Sequence, residues 1–138
     1  MIDYNHSLLT IDKKEANTME EIRLGIVEAH FADIVWRNAP ISTKALVEIC
    51  QSELSWKRTT TYTVLKKLCE RGLFKTEDSK VSVLITKDEF SAMQSERFVE
   101  DTFGGSLPAF IAAFTSRKRL SDKELSEIQE MIDSYGKE

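Results

Sequence analysis

The sequence predicts a mainly α-helical fold with a small β-hairpin wing: a winged helix-turn-helix DNA-binding domain followed by a C-terminal helical dimerisation region. Three observations predict it. From Ser55 to Gly72, Thr61, Val64, Leu65 and Leu68 recur on one helical face, while the other carries Lys57, Arg58, Thr59, Thr60, Tyr62, Thr63, Lys66 and Lys67. Directly afterwards the pattern switches to two short strands around a polar turn. The last third then returns to helical spacing with many aromatic residues.

In chain order, residues 1–17 are polar and aperiodic apart from Leu8, Leu9 and Ile11, and read as an N-terminal arm that is either mobile or loosely docked. The winged-helix domain is assigned to residues 18–87. Thr18-Met-Glu-Glu21 matches a capping box, and Gly25-Ile-Val-Glu28 offers a second helix start. Val27, Phe31, Ile34 and Val35 then form a buried stripe, so the first helix is placed at about 26–37, with Pro40 ending it. Ser42 caps a second helix whose inner face is Ala45, Leu46, Ile49 and Cys50. Ser55 is expected to cap the third, and Gly72 to close it in the left-handed conformation. Leu73-Phe-Lys-Thr76 and Val81 to Thr86 read as the strands of a hairpin, turning at Glu77-Asp-Ser-Lys80.

The third helix carries the chemistry. Cations neutralise phosphates and release counterions, while Ser, Thr and Tyr hydroxyls reach phosphate oxygens or base edges in a major groove wide enough for a helix. Between Ser55 and Lys75 six cations face one acid, Glu70. A basic solvent-facing helix would show the same charge, but three helices followed by a hairpin is the winged-helix order, which puts the third helix in the groove and the wing on the backbone. Ser42, Lys75 and Lys80 join the third-helix residues as DNA-contacting candidates, the two lysines from the wing.

Residues 88–138 are assigned to dimerisation. Phe90, Met93, Phe98 and Phe103 mark a helix to Gly104-Gly105, which reads as a break. Leu107, Phe110, Ile111 and Phe114 mark a short helix with Pro108 in its first turn, and Ser121-Asp-Lys-Glu124 opens a last one bearing Leu125, Ile128, Met131 and Ile132. A segment of about 50 residues hides too little surface to bury these side chains alone, so a second copy is expected to cover them. A two-fold dimer would also offer two recognition helices to successive grooves, hence a palindromic double-stranded DNA partner.

The formal net charge of −4 divides unevenly: residues 21–87 carry eleven cations against eight acids, and residues 88–138 six against eleven. This is the asymmetry of a DNA-reading half joined to a half with another task. No apolar run reaches the length of a membrane span and the first residues lack a signal peptide's pattern, so a cytoplasmic protein without membrane association is expected. Cys50 and Cys69 fall on apolar helix faces with no ligand-spaced neighbour and read as buried thiols. His6 and His30 stand alone, no phosphate loop or nucleophile motif occurs, and Asp122, Glu124, Glu127 and Glu130 read as a solvated helix face. Neither an enzyme nor a metal or other cofactor is expected.

Leu24-Gly-Ile-Val-Glu28 through Ile34-Val-Trp36, Ser42, Thr60 to Leu68 leading to Arg71-Gly-Leu73, Phe103-Gly-Gly-Ser106 and Leu120 to Leu125 together resemble the penicillinase-repressor family, BlaI/MecI/CopY, over residues 24–135. The resemblance implies a homodimeric bacterial transcriptional repressor that binds inverted repeats of the TACA/TGTA kind. It puts Thr60 and Thr63 at the groove and Lys67 on the backbone, where the family usually has Arg. The wing turn Asp78-Ser-Lys80 departs from the family's Gly-Arg, and no cysteine follows Cys69, against copper sensing through a cysteine-rich tail. Phe98 and Phe103 follow Arg97 and Thr102 rather than the Asn of the family's cleavage bond. The releasing signal thus stays open, with proteolysis by a membrane sensor protease among the possibilities. A winged-helix protein-interaction module without sequence-specific DNA binding is the alternative, since fold alone does not select between them.

Overall fold

A computed structural model describes residues 24–137. The N-terminal arm, and the helix start expected at Thr18, lie outside these residues. Among those described, the order is α1 (Ile26–Asn38), β1 (Ile41–Ser42), α2 (Thr43–Leu54), α3 (Arg58–Glu70), β2 (Phe74–Glu77), β3 (Lys80–Val83), α4 (Lys87–Phe103), α5 (Leu107–Arg117) and α6 (Asp122–Ser134). The winged-helix order and the mainly helical class are both present. The chain divides into two compact units, the first ending at Ser95 and the second beginning at Glu96.

In the first unit, α1 starts after Gly25, whose N–H donates to Glu28 Oε1 at 3.0 Å. The weaker of the two expected starts therefore opens the described helix. Phe31, Ala32, Ile34 and Val35 are fully buried, but Val27 is exposed, because it lies a turn beyond the edge of the core. Ser42 caps α2, its Oγ accepting from Ala45 N–H at 3.1 Å, and Leu46 and Cys50 are buried beneath it.

Ser55 corrects the expected start of α3. It sits at φ 56°, left-handed, and closes α2, with Trp56 N–H donating to Cys50 O at 3.3 Å. A residue in that conformation ends a helix and cannot also begin the next. Lys57 occupies the N-cap of α3 without a side-chain cap. The turn between α2 and α3 is thus Ser55-Trp56-Lys57, the short connection a helix-turn-helix needs. Trp56 stacks on Phe31 with ring centroids 5.6 Å apart.

Gly72, at φ 88°, lets the chain leave α3 and enter the sheet. Its order is β1-β3-β2, all antiparallel, with Ser42 opposite Lys80 and Glu77 also opposite Lys80. The two-residue β1 escapes a reading based on alternation, which needs a longer run. Asp78 and Ser79 form the hairpin turn, both at positive φ, the geometry whose twist matches paired strands.

Trp36 ties the hairpin to α1 and to the start of α4: its Nε1–H donates to Ile85 O at 3.0 Å, and its ring lies 5.7 Å from Phe74 and 5.4 Å from Phe90. Two assignments change here. Phe90 is buried in this core and Met93 packs against it, so the first half of α4 belongs to the winged-helix unit, and Phe90 is unavailable to a second chain. Cys69, expected buried, is half-buried, with Sγ 3.5 Å from Thr76 Oγ1; only Cys50 is enclosed.

In the second unit, Gly104 and Gly105 break the helix at positive φ, Ser106 and Ser121 cap α5 and α6, and Glu124 returns the capping bond to Ser121 N–H. Phe98, Phe103, Phe110 and Phe114 meet with ring centroids 5.6 to 6.0 Å apart.

Leu68 is fully buried on the inner face of α3. Leu68→Ala is expected to lower unfolding stability by about 2 to 5 kcal/mol, the range for a buried leucine truncated beside a cavity. Urea denaturation followed by circular dichroism would measure it.

Candidate nucleic-acid interface

Three anchors hold α3 from below: Thr61, Leu65 and Leu68 are buried. Since helical side chains three and four apart share a face, this anchoring turns Arg58, Thr59, Thr60, Thr63, Lys66 and Lys67 outward, and all are exposed. Lys57, at the cap, is exposed as well. The residues picked out by periodicity do share one surface.

That surface extends to α2 and the hairpin. Tyr62 is half-buried at its edge, with the Arg58 guanidinium 5.5 Å from its ring centroid. A hydrogen bond with Thr43, aided by the Arg58 charge, holds the Tyr62 phenol below the usual tyrosine range. Thr43 N–H in turn donates to Ser79 O at the hairpin turn, at 2.9 Å. Through Thr43 the start of α2, the turn of the wing and the outer face of α3 are joined. Ser42 and Lys80, as strand partners, lie beside one another at the same corner.

Of the two wing lysines, Lys75 is less available than its charge suggests. Lys75 Nζ is 2.7 Å from Glu77 Oε2, which holds that carboxyl below the ordinary range. Asp78, at the turn, adds a second acid to the hairpin. The surface is open: a shallow hollow of about 490 Å³ is lined by the wing residues Lys75, Glu77, Asp78, Lys80 and Ser82, and another of about 540 Å³ by Val47, Gln51, Ser55, Trp56, Lys57 and Arg58. Neither encloses a small molecule as a ligand cleft does. Among the described residues no group of His, Cys, Asp and Glu is placed to hold a metal, and no helix is long and apolar enough to cross a membrane.

Lys67, expected on the DNA backbone, is paired within the chain. Its Nζ lies 2.6 Å from Glu28 Oε2, and Arg71 donates to Glu28 Oε1 at 3.2 Å. Glu28 was legible only as a helix-start residue, because its partners on α3 lie about forty residues further along the chain. Thr43 went unnoticed as well, a threonine inside an apolar face having no signal of its own. The hydrogen bond from Lys67 holds the Glu28 carboxyl below its usual range, with Gly25 N–H and the Arg71 charge adding to it against the cost of burial. Asp33, bonded to Lys87 and Arg37, is lowered likewise.

The residues expected at a dimer interface, other than Phe90 and Met93, lie in the second unit. No residue of α5 or α6 is buried, and Phe98, Leu107, Ile111, Phe114, Leu125, Met131 and Ile132 are exposed in the single chain, with Phe103, Phe110 and Ile128 half-buried. Asp122, Glu124, Glu127 and Glu130 are exposed, as a solvated face requires.

The sequence is similar to those of known proteins. The family model for the penicillinase repressor matches residues 24–134. A penicillinase repressor of Staphylococcus aureus is 19% identical over 122 residues, covering 86% of this chain and 97% of that protein. An uncharacterized 16.5 kDa protein in the ptsI 3' region of Latilactobacillus sakei is 23% identical over 103 residues, covering 72% and 70% of the two.

A carboxyl whose folded pKa is depressed stabilises the fold while it is charged, and that contribution disappears as protons return. Glu28 and Asp33 should therefore support stability at neutral pH and cease to do so as pH falls below the ordinary carboxylate values of about 4. The urea midpoint is expected to drop from pH 6 to pH 3, and to drop less in Asp33→Asn.

Proposed function

The chain belongs to the penicillinase repressor family, and we propose that, as a DNA-binding transcriptional repressor, it acts as a homodimer that lays α3 in the major groove of an inverted-repeat operator. The observation carrying this reading is the outer face of α3: Arg58, Thr59, Thr60, Thr63 and Lys66 all stand exposed on a helix anchored from the opposite side. Cations and hydroxyls on a rigid helix are what phosphate and base-edge contacts need. The α2–α3 turn and the adjoining hairpin supply the frame that docks such a helix. Ser42, Lys57 and Lys80 would reach the backbone at the rim, and Tyr62 would steady Arg58. Repression follows from occupancy, since a dimer seated over a promoter excludes polymerase.

The dimer reading is supported by the second unit. Its exposed apolar side chains exceed what scattered surface residues normally present, and side chains of this kind leave water when a matching surface covers them. A second copy of the same helices supplies that surface, and two-fold pairing would present two copies of α3 to half-sites about one helical turn apart.

Fluorescence anisotropy against a duplex carrying a TACA/TGTA inverted repeat, and against a scrambled duplex, tests the DNA reading. A preference of about a thousandfold or more is expected, with a steep salt dependence. Lys66→Ala should weaken both duplexes and reduce the salt slope by about one unit. Thr60→Ala should cost about 1 to 3 kcal/mol, mainly on the repeat. Equal, weak binding to both duplexes would favour the interaction-module reading instead.

Ile132 is 63% exposed within the chain, so Ile132→Asp should leave the fold intact. The variant is expected to sediment as a monomer and to lose tight binding to the repeat. A dimer of unchanged mass would place the interface elsewhere.

A further inference from the structure

We propose that Glu28 is an internal stand-in for a DNA phosphate, engaging cations of the recognition helix and so setting the sequence-independent part of the affinity. The inference rests on the DNA-binding reading above and adds to it a residue outside α3.

Lys67 follows Thr60 and Thr63 on one stripe of α3, at spacings of three and four residues, where a groove-seated helix would meet the backbone. Yet its ammonium, although exposed, is already paired within the chain. One oxygen of the Glu28 carboxylate takes Lys67 at 2.6 Å and the other takes Arg71 at 3.2 Å. The carboxylate is also fixed in place, accepting from Gly25 N–H at 3.0 Å, and its side chain is only 17% exposed. An anion with its oxygens shared between a lysine and an arginine is how a phosphate is held in a protein–DNA contact. The Glu28 pKa lies below the ordinary range, so the charge persists throughout neutral pH.

Other cations of the helix differ. Lys57, Arg58 and Lys66 form no salt bridge among the described residues, and their side chains are exposed. A phosphate approaching them displaces mobile counterions, the source of the steep salt dependence. A phosphate approaching Lys67 must displace a carboxylate that belongs to the protein, which releases no counterion. Glu28 therefore lowers affinity for all DNA alike while leaving base readout at Thr60 and Thr63 untouched. A repressor gains from such a limit, because competing non-specific sites are vastly more numerous than operators.

Glu28→Gln tests this, since Gln at the same helix position can keep the hydrogen bond to Gly25 N–H while removing the charge and the acceptor that faces Lys67. Thermal melting confirms that the variant folds. By anisotropy, Glu28→Gln should bind both the repeat and the scrambled duplex about three- to tenfold more tightly at low salt, and its salt slope should steepen by about one unit. Adding Lys67→Met should abolish that gain. Lys67→Met in the unmodified chain should change the slope little, and this variant tests the idea even if Glu28→Gln fails to fold. Unchanged or weaker binding by a folded Glu28→Gln, or the loss of a full unit of slope in Lys67→Met alone, would overturn the proposal while leaving the repressor reading in place. Failure of the unmodified protein to bind either duplex would remove that reading and the proposal together.

Discussion

Three side chains, Thr61, Leu65 and Leu68, hold α3 against the rest of its unit, and the exposure of its outer face depends on that anchoring. A helix with a low apolar content gains little from its own residues, so its stability comes from packing one narrow face. With Val64 and Cys69 packed at the margin of that face, the outward positions are filled largely with cations and hydroxyls. Trp36 acts as the second fixed point. Its indole bonds to Ile85 and its ring touches Phe74 and Phe90, so the hairpin and the opening turns of α4 are set against α1. Thr43 completes the frame by bonding to the hairpin turn on one side and to Tyr62 on the other. The position of the wing relative to α3 is thereby fixed by polar contacts at its tip and by aromatic packing at its base.

Much of this was legible from periodicity. Helix faces repeat every three to four residues, so α1, α3 and the three last helices could be placed within a residue or two, and the period change after Gly72 marked the hairpin. What failed had physical reasons. Ser55 is a good N-cap residue by type, and only its left-handed φ shows that it closes α2 instead. Phe90 has the spacing of an interface residue, but Trp36, more than fifty residues earlier, claims it. Val27 is apolar and in phase, yet it sits past the rim of the core. The outer face of α3 was readable because its residues lie on one continuous helix. Glu28 was not, because its meaning lies in which cations the fold brings to it.

The second unit presents the opposite economy. The first unit encloses Phe31, Ile34, Leu46, Leu68, Leu73 and Phe74 completely, whereas α5 and α6 enclose nothing. Phe98, Phe103 and Phe110 in mutual edge contact, with Phe114 tilted against Phe110, give the second unit some internal order, since such pairs are favourable beyond the area they hide. Its acids keep the outer face of α6 hydrated and confine the apolar side chains to the other side, so the exposed surface is restricted in direction as well as extent.

The hydroxyl of Thr63 donates to Thr59 O at 2.9 Å. Its single proton is thereby committed to the helix backbone, and what it turns outward is a pair of lone pairs and a methyl group. Such a side chain complements an exocyclic amine, on adenine or cytosine, or the methyl of thymine. The keto oxygen and ring nitrogen of guanine, which both require a donor, gain nothing from it. The backbone bond of one threonine thus gives this position of the helix a chemical polarity that the residue name alone would never disclose.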